Sequence, residues 1–165
     1  MFHIILRLTM ILGVGLGLGF GLGADRATAQ GLAGSSTSDW QPEPQTPTGK
    51  FTTATEVKPI LTATKSAWLA LREYDGKDLL YFTQLLAWRC GLHEIQFAVN
   101  GAAPQLLEIE ACHTDTAQPN AMKMDSHLPY LSYDLGSVNH VTVTVIYDDA
   151  STDSAEFSRK DILMP

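Results

Sequence analysis

The chain has 165 residues, 45% of them hydrophobic, and a formal net charge of −7. An acidic chain without a basic stripe repels phosphate backbones, which argues against a nucleic-acid binder, and it gains nothing from docking on anionic lipid.

From the N-terminus, Arg7 is the only early charge, and residues 8–23 are apolar side chains, glycine and Thr9. A short basic region, an apolar stretch and the small-x-small site Ala27-Thr28-Ala29 predict a signal peptide over residues 1–29 and a mature start near Gln30. Glycines at alternate positions from 13 to 23 contain G-x-x-x-G spacings that would suit a retained membrane helix. The run is nevertheless shorter than the roughly 20 apolar residues a span needs, so no membrane span is expected after cleavage. Strict alternation also never yields the phosphate-binding orders G-x-G-x-x-G or G-x-x-x-x-G-K. Cleavage removes Arg7, Arg26 and Asp25, leaving the mature chain one charge more negative.

Residues 30–50 are mostly Gly, Ser, Thr, Pro and Gln, with Trp40 as the single aromatic and Pro42, Pro44 and Pro47 among them. Such a stretch buries too little apolar surface to offset its ordering entropy and is expected to be a disordered linker. Residues 51–165 then form one β-rich domain, a size that supports a single core.

Within that domain, residues 51–64 are Thr- and Val-rich and predict a first strand, interrupted at Pro59. Residues 67–74 and 78–88 are aliphatic and aromatic runs joined by Asp75-Gly76, a hairpin signal. The second run is apolar on both faces, fitting a central strand or a short helix, and its Tyr, Phe, Thr and Trp content favours the strand. Ile95, Phe97 and Val99 alternate with Glu94, Gln96 and Ala98, and Leu107, Ile109 and Ala111 alternate with Leu106, Glu108 and Glu110; both read as strands. Val141, Val143, Val145 and Tyr147 share one face of a half-buried strand. A turn cluster over residues 147–153 leads into residues 154–162 as a final hairpin. No amphipathic helix stands out. About seven strands with frequent turns predict an all-β antiparallel sandwich, immunoglobulin-like or related.

Cys90 and Cys112 both lie in the domain, and in an exported chain such a pair is expected as a disulfide contributing about 3 kcal/mol. A free nucleophilic thiol beside Arg89 is the alternative. No C-x-x-C supports it, and neither cysteine stands where a lipid-modified N-terminus would need one. Arg89 itself is expected in an ion pair.

The polar, aperiodic loop over residues 112–129 is the candidate contact surface, with His113, Asp115, Asn120 and His127 as binding residues. His113, Asp115, Asp125 and His127, with His93 and Glu94, offer metal-ligating atom types without a recognised spacing, so no metal or other cofactor is expected. Glu73, Asp75 and Asp78, and Asp148, Asp149 and Asp153, are acidic clusters that lack the calcium-loop order and read as turn residues. Asp125-Ser126-His127 holds the three residue types of a hydrolytic triad, but immediate neighbours in the chain cannot aim at one another.

At Trp88-Arg89-Cys90-Gly91-Leu92, at residues 115–121 and at Tyr147-Asp148-Asp149, the chain resembles a group of short exported bacterial proteins of unknown function. The resemblance covers the body from about Trp68 onward. It implies export and a shared fold and transfers no catalytic or binding residue. The sequence therefore leads to a periplasmic or secreted, non-catalytic binding or envelope-assembly domain whose partner is an envelope protein or a small ligand. A metal-dependent hydrolase using His113, Asp115 and His127 is the alternative, and a structural envelope component is the third reading.

Overall fold

The computed structural model describes residues 40–123 and 127–165. The signal peptide expected over residues 1–29 and the first part of the expected linker lie outside them, as do Asp125 and Ser126 of the loop. Among the described residues, no helix is long and apolar enough to cross a membrane.

Among the described residues the fold is mostly β, with seven strands in two antiparallel sheets. β1 (Ala70–Tyr74), β2 (Lys77–Tyr81) and β5 (Tyr130–Asp134) form a three-stranded sheet in the order β1-β2-β5. β3 (Leu92–Val99), β4 (Gln105–Leu106), β6 (His140–Tyr147) and β7 (Thr152–Ser158) form a second in the order β4-β3-β6-β7. Both sheets contribute to one core. Leu71 and Leu80 come from the first, and Ile95, Phe97, Val141, Val143 and Val145 from the second. Across that core the rings of Phe82 and Phe97 meet edge to face, 5.2 Å apart.

The strongest sequence patterns sit where expected. In β6 buried and half-buried positions alternate, with Val141, Val143, Val145 and Tyr147 inward. β1 and β2 pair across Asp75-Gly76, Tyr74 opposite Lys77. Asp75 (φ 49°) and Gly76 (φ 72°) both have positive φ, as a turn whose twist matches its strands requires. The last hairpin pairs β6 with β7, but residues 159–162 leave the sheet as a short helix, α3 (Arg159–Ile162), which Ser158 and Asp161 cap.

Elsewhere the expected elements are corrected. Residues 51–64 are not a strand: they contain the helix α1 (Ala54–Ala63). Ala54, Val57 and Leu61, at i, i+3 and i+7, form its fully buried face. Pro59 sits inside α1 on the exposed side, and the Thr55 carbonyl that its missing N–H leaves unbonded belongs to another exposed residue. Residues 78–88 are half strand. β2 stops at Tyr81, and the chain then crosses to the second sheet through α2 (Thr83–Leu86) and a 3₁₀ turn at Arg89–Gly91. Leu85 and Leu86 are adjacent and both buried, which a turn of helix at a sheet-to-sheet crossing allows and a strand with one solvent face does not.

The strand expected over residues 106–111 is reduced to the end of β4. Leu107 still donates to the Ile95 carbonyl at 2.8 Å, after which the chain departs from the sheet. The seventh strand is instead β5, which carries no prediction from sequence and is recruited by register pairing with β2, Leu80 opposite Leu131.

Candidate functional site

Three residues of the crossover turn organise the surface beside it. Arg89 is 2% exposed, and each of its five N–H groups meets a backbone carbonyl. Nε donates to Glu110 at 2.7 Å, Nη1 to Leu86 and Asn120 at 3.3 and 2.7 Å, and Nη2 to Ala111 and Ala121 at 3.1 and 3.0 Å. The guanidinium thus does for the 110–121 loop what a neighbouring strand does for a sheet: it satisfies carbonyls that would otherwise be left without donors. The ion pair expected for Arg89 is loose, since the nearest carboxylate oxygen, on Glu110, lies 4.0 Å away. Burial pulls the Arg89 pKa below its usual value, and Glu110 opposes that shift.

Cys90 is disulfide-bonded to Cys112, with Cα atoms 5.2 Å apart. Its backbone N–H donates to the Asn120 side-chain oxygen at 3.0 Å. Gly91 permits the close approach of α1: a Cβ there would stand 2.5 Å from Val57 Cγ2 and 2.8 Å from the Thr53 carbonyl oxygen. Gly91→Ala is therefore expected to destabilise the domain by about 1–3 kcal/mol through overpacking against backbone, measurable as a lower urea midpoint. An unchanged midpoint would mean that α1 is free to shift.

The Gly91 carbonyl accepts from the Asp148 N–H at 3.2 Å, and Asp148 Oδ1 accepts from the Ala54 N–H at 2.8 Å, placing a carboxylate on the first turn of α1. Burial raises the Asp148 pKa against the lowering effect of its bonds from Gln45 and Ala54. Residues 88–92, 115–121 and 147–149, far apart in sequence, are thus tied to one another around this turn.

Beside the turn is a cleft of about 360 Å³ with mixed polar and apolar lining. One wall is the segment from Glu43 to Thr53, and the other is formed by Arg89, the disulfide and residues 109–114. The first wall belongs to the stretch read from composition as linker, and it carries specific bonds. Glu43 N–H donates to the Asp148 carbonyl at 2.8 Å, the Gln45 amide donates to Asp148 Oδ1 at 2.8 Å, and Trp40 stacks on His93 with ring centres 3.7 Å apart. Glu56, in the first turn of α1, accepts from the N–H groups of Thr48, Gly49 and Thr52 at 3.0, 2.6 and 3.0 Å, and from the hydroxyls of Thr48 and Thr53 at 3.1 Å each. Burial is the largest influence on its carboxyl and acts to raise the pKa. The opposing bonds from Thr52, Gly49, Thr53 and Thr48 together outweigh it and hold the pKa at about 2.

The residues singled out from sequence fall into different places. Asn120 is at the centre of the tie, holding Cys90 N–H and donating to the Phe51 carbonyl at 2.8 Å. His113 Nε2 lies 2.6 Å from Glu110 Oε1, at the edge of the cleft wall. Asp115 is exposed, and its side chain makes no hydrogen bond or ion pair among the described residues. His127 does not line the cleft. It borders a narrow crevice with Leu86, Met122 and Pro129, and a wider groove beside β4 and β5.

The two acidic clusters are occupied by the chain's own cations. Asp78 is bound by Arg159, Asp149 pairs with Lys58, and Asp153 pairs with Lys65. Among the described residues, no three His, Cys, Asp or Glu side chains are grouped to hold a metal ion. Glu43, Thr46, Thr48, Thr52 and Thr53 were not singled out, because a Thr/Pro-rich stretch reads as linker until its long-range partners are known. Comparison with protein-family models, curated proteins and solved structures finds no match, so the cleft is interpreted from its own geometry.

Proposed function

We propose that the chain is an exported, non-catalytic binding domain, periplasmic or secreted, and that its ligand enters the cleft between the 43–53 segment and the disulfide wall. We read its two sheets, which share one core, as a sandwich of immunoglobulin-like or related type. The observation that carries the binding reading is a preformed cleft of about 360 Å³ with both walls anchored. One wall is held by Arg89 and the Cys90–Cys112 bond, and the other by Asp148 and the donors around Glu56. That volume falls within the range of small-ligand sites, and anchored walls reduce the ordering cost of binding.

The test is a titration of ¹⁵N-labelled protein with cationic, neutral and anionic small molecules, following the amides of Thr46, Thr48, Thr52 and Thr114. Saturable shifts confined to this group are expected for at least one class. No shift with any class overturns the reading. Export is tested separately by intact mass without reductant. A chain starting near Gln30 and lighter by two hydrogens than its reduced form is expected, and a full-length or free-thiol mass would contradict export.

A further inference from the structure

We propose that the free edge of β5 pairs with the same edge of a second copy of this chain, joining two three-stranded sheets into one across a two-fold axis. The contact is independent of the cleft and of what enters it. An edge strand presents a row of unpaired N–H and C=O groups, and chains that stay monomeric blunt such edges. Two open sheets have four edges, and among the described residues the chain itself covers, caps or shortens three of them. At β1, the Leu71 carbonyl accepts from the Met164 N–H at 2.8 Å, with Leu163 bridged to Leu71 alongside. At β7, the bonds from Tyr147 N–H to Ser151 and from Arg159 N–H to Asn139 fix the alternation, so the even-numbered residues turn their backbone groups away from β6. Ser154 is capped on both groups, its N–H by Asp153 at 2.8 Å and its carbonyl by Lys65 at 3.3 Å, and the Ser158 N–H is taken by Asp161 at 3.0 Å. The β4 edge has only two residues.

The fourth edge, β5, has five residues and is left open. The Phe82 N–H donates to the Pro129 carbonyl at 2.8 Å, so the alternation turns the backbone groups of Leu131 and Tyr133 toward β2 and those of Tyr130, Ser132 and Asp134 outward. Of these outward groups, only the Asp134 carbonyl has a partner among the described residues, the Ser137 N–H. They are symmetric about Ser132, so an antiparallel copy meets them on a two-fold axis, Ser132 opposite the partner's Ser132 and Tyr130 opposite the partner's Asp134. The side chains suit that register. On the outer face, Lys77 pairs with Asp134 at 2.8 Å, and Tyr81 lies against Tyr130 with ring centres 5.0 Å apart. Pairing sets the Lys77–Asp134 pair beside the partner's Tyr130, whose hydroxyl donates to the carboxylate, and opposes no like charges. On the core face, Leu131 and Tyr133 pack on the core yet remain half-buried at this open side. The same pairing puts Leu131 opposite the partner's Tyr133, an aliphatic–aromatic pair. Leu131 also lines a groove of about 430 Å³ whose Leu106 and Leu128 are 60% and 59% exposed, and the second strand brings apolar side chains to that opening.

Sedimentation equilibrium of the disulfide-bonded chain at about 10–500 μM is expected to show a monomer–dimer equilibrium, micromolar or weaker because one strand pair buries little surface. Raising NaCl from about 0.05 to 0.5 M is expected to tighten it severalfold, since each copy carries a net charge of −7 that salt screens. Ser132→Lys, at an exposed position on the axis, sets two ammonium groups face to face and is expected to weaken the dimer at least tenfold while the dilute monomer keeps its urea midpoint. Thr152→Lys adds the same charge at an exposed, outward-facing position on β7 and is expected to leave the dimer unchanged. In the unsubstituted protein, hydrogen exchange at the Tyr130, Ser132 and Asp134 amides is expected to slow as concentration rises. A chain that stays monomeric throughout the range overturns the proposal and leaves the edge to a strand of another protein. Equal weakening by Ser132→Lys and Thr152→Lys, or a dimer whose assembly does not slow exchange at these three amides, overturns β5 as the contact.

Discussion

Arg89→Met is expected to cost about 4 kcal/mol of stability or more, because a buried group that satisfies several others leaves all of them unpaired when it is removed. The five carbonyls of Leu86, Glu110, Ala111, Asn120 and Ala121 would lose their donor together. Methionine fills much of the volume but supplies no hydrogen, so the loss falls on polar satisfaction and not on packing. Arg89→Lys is expected to restore little, since one ammonium cannot span carbonyls that the planar guanidinium reaches from three nitrogens. The Cys90→Ser/Cys112→Ser pair is the internal standard. Removing a cross-link with a sequence separation of 22 is expected to cost about 3 kcal/mol, mostly through the unfolded chain. Urea unfolding of the three proteins should therefore rank the cysteine pair as the mildest change. The loop amides of the cysteine variant should keep their native shifts, because Arg89 and Asn120 still hold them. If Arg89→Met is milder than loss of the disulfide, the guanidinium is not what fixes the loop.

Asp78→Ala is expected to be the second severe change, at about 3–5 kcal/mol, the usual cost of leaving a buried charge without its partner. Asp78 is fully buried on β2 and accepts from Arg159 Nη1 and Nη2 at 2.6 and 2.9 Å and from the Val138 N–H at 3.1 Å. Arg159 also donates to Glu73 at 2.5 Å and to the Val138 carbonyl at 2.8 Å. The pair thereby ties the three-stranded sheet to α3 and to the turn before β6. It also sets an acid limit. The Arg159 bonds, opposed by burial and aided by backbone N–H groups, hold the Asp78 carboxyl at about 2, against an ordinary value of 3.8. A carboxyl with a lowered folded pKa adds stability that is fully present above 3.8 and is lost as pH falls through about 2. For Asp78 that amounts to about 2 kcal/mol. The wild-type urea midpoint should fall between pH 4 and pH 2, and Asp78→Asn should flatten that fall. An equally steep fall in Asp78→Asn would assign the acid sensitivity to other carboxylates, Glu56 first among them.

How legible each feature was in the sequence follows from how local its cause is. The β6 alternation and the Asp75-Gly76 turn are set by residues one or two apart, so pattern alone places them. The helix α1 was missed although Ala54, Val57 and Leu61 carry its period. Thr and Val content and Pro59 pointed to an interrupted strand, and the partners that settle the matter are distant: Asp148 on its first N–H, Gly91 under Val57. The expected strand over residues 106–111 failed for a related reason. Its alternation is real, but Arg89 takes the carbonyls of Glu110 and Ala111 that a strand neighbour would have used.

The candidate site divides in the same way. The sequence pointed to Asn120 and to the cysteine pair, and it marked the 112–129 loop as polar, because composition is a property of the chain itself. Which of those residues do structural work, and that the opposite wall comes from the Thr-rich segment before α1, depend on hydrogen bonds between residues up to 103 positions apart. By itself, the sequence determined an acidic, mostly β domain with one cysteine pair, since charge, alternation and turn chemistry act over a few residues. Only the tertiary structure decided that a buried arginine holds the loop and that the segment before α1 forms the facing wall of the cleft. Hydrogen-bond satisfaction is a balance over the whole fold, and no local stretch of chain contains it.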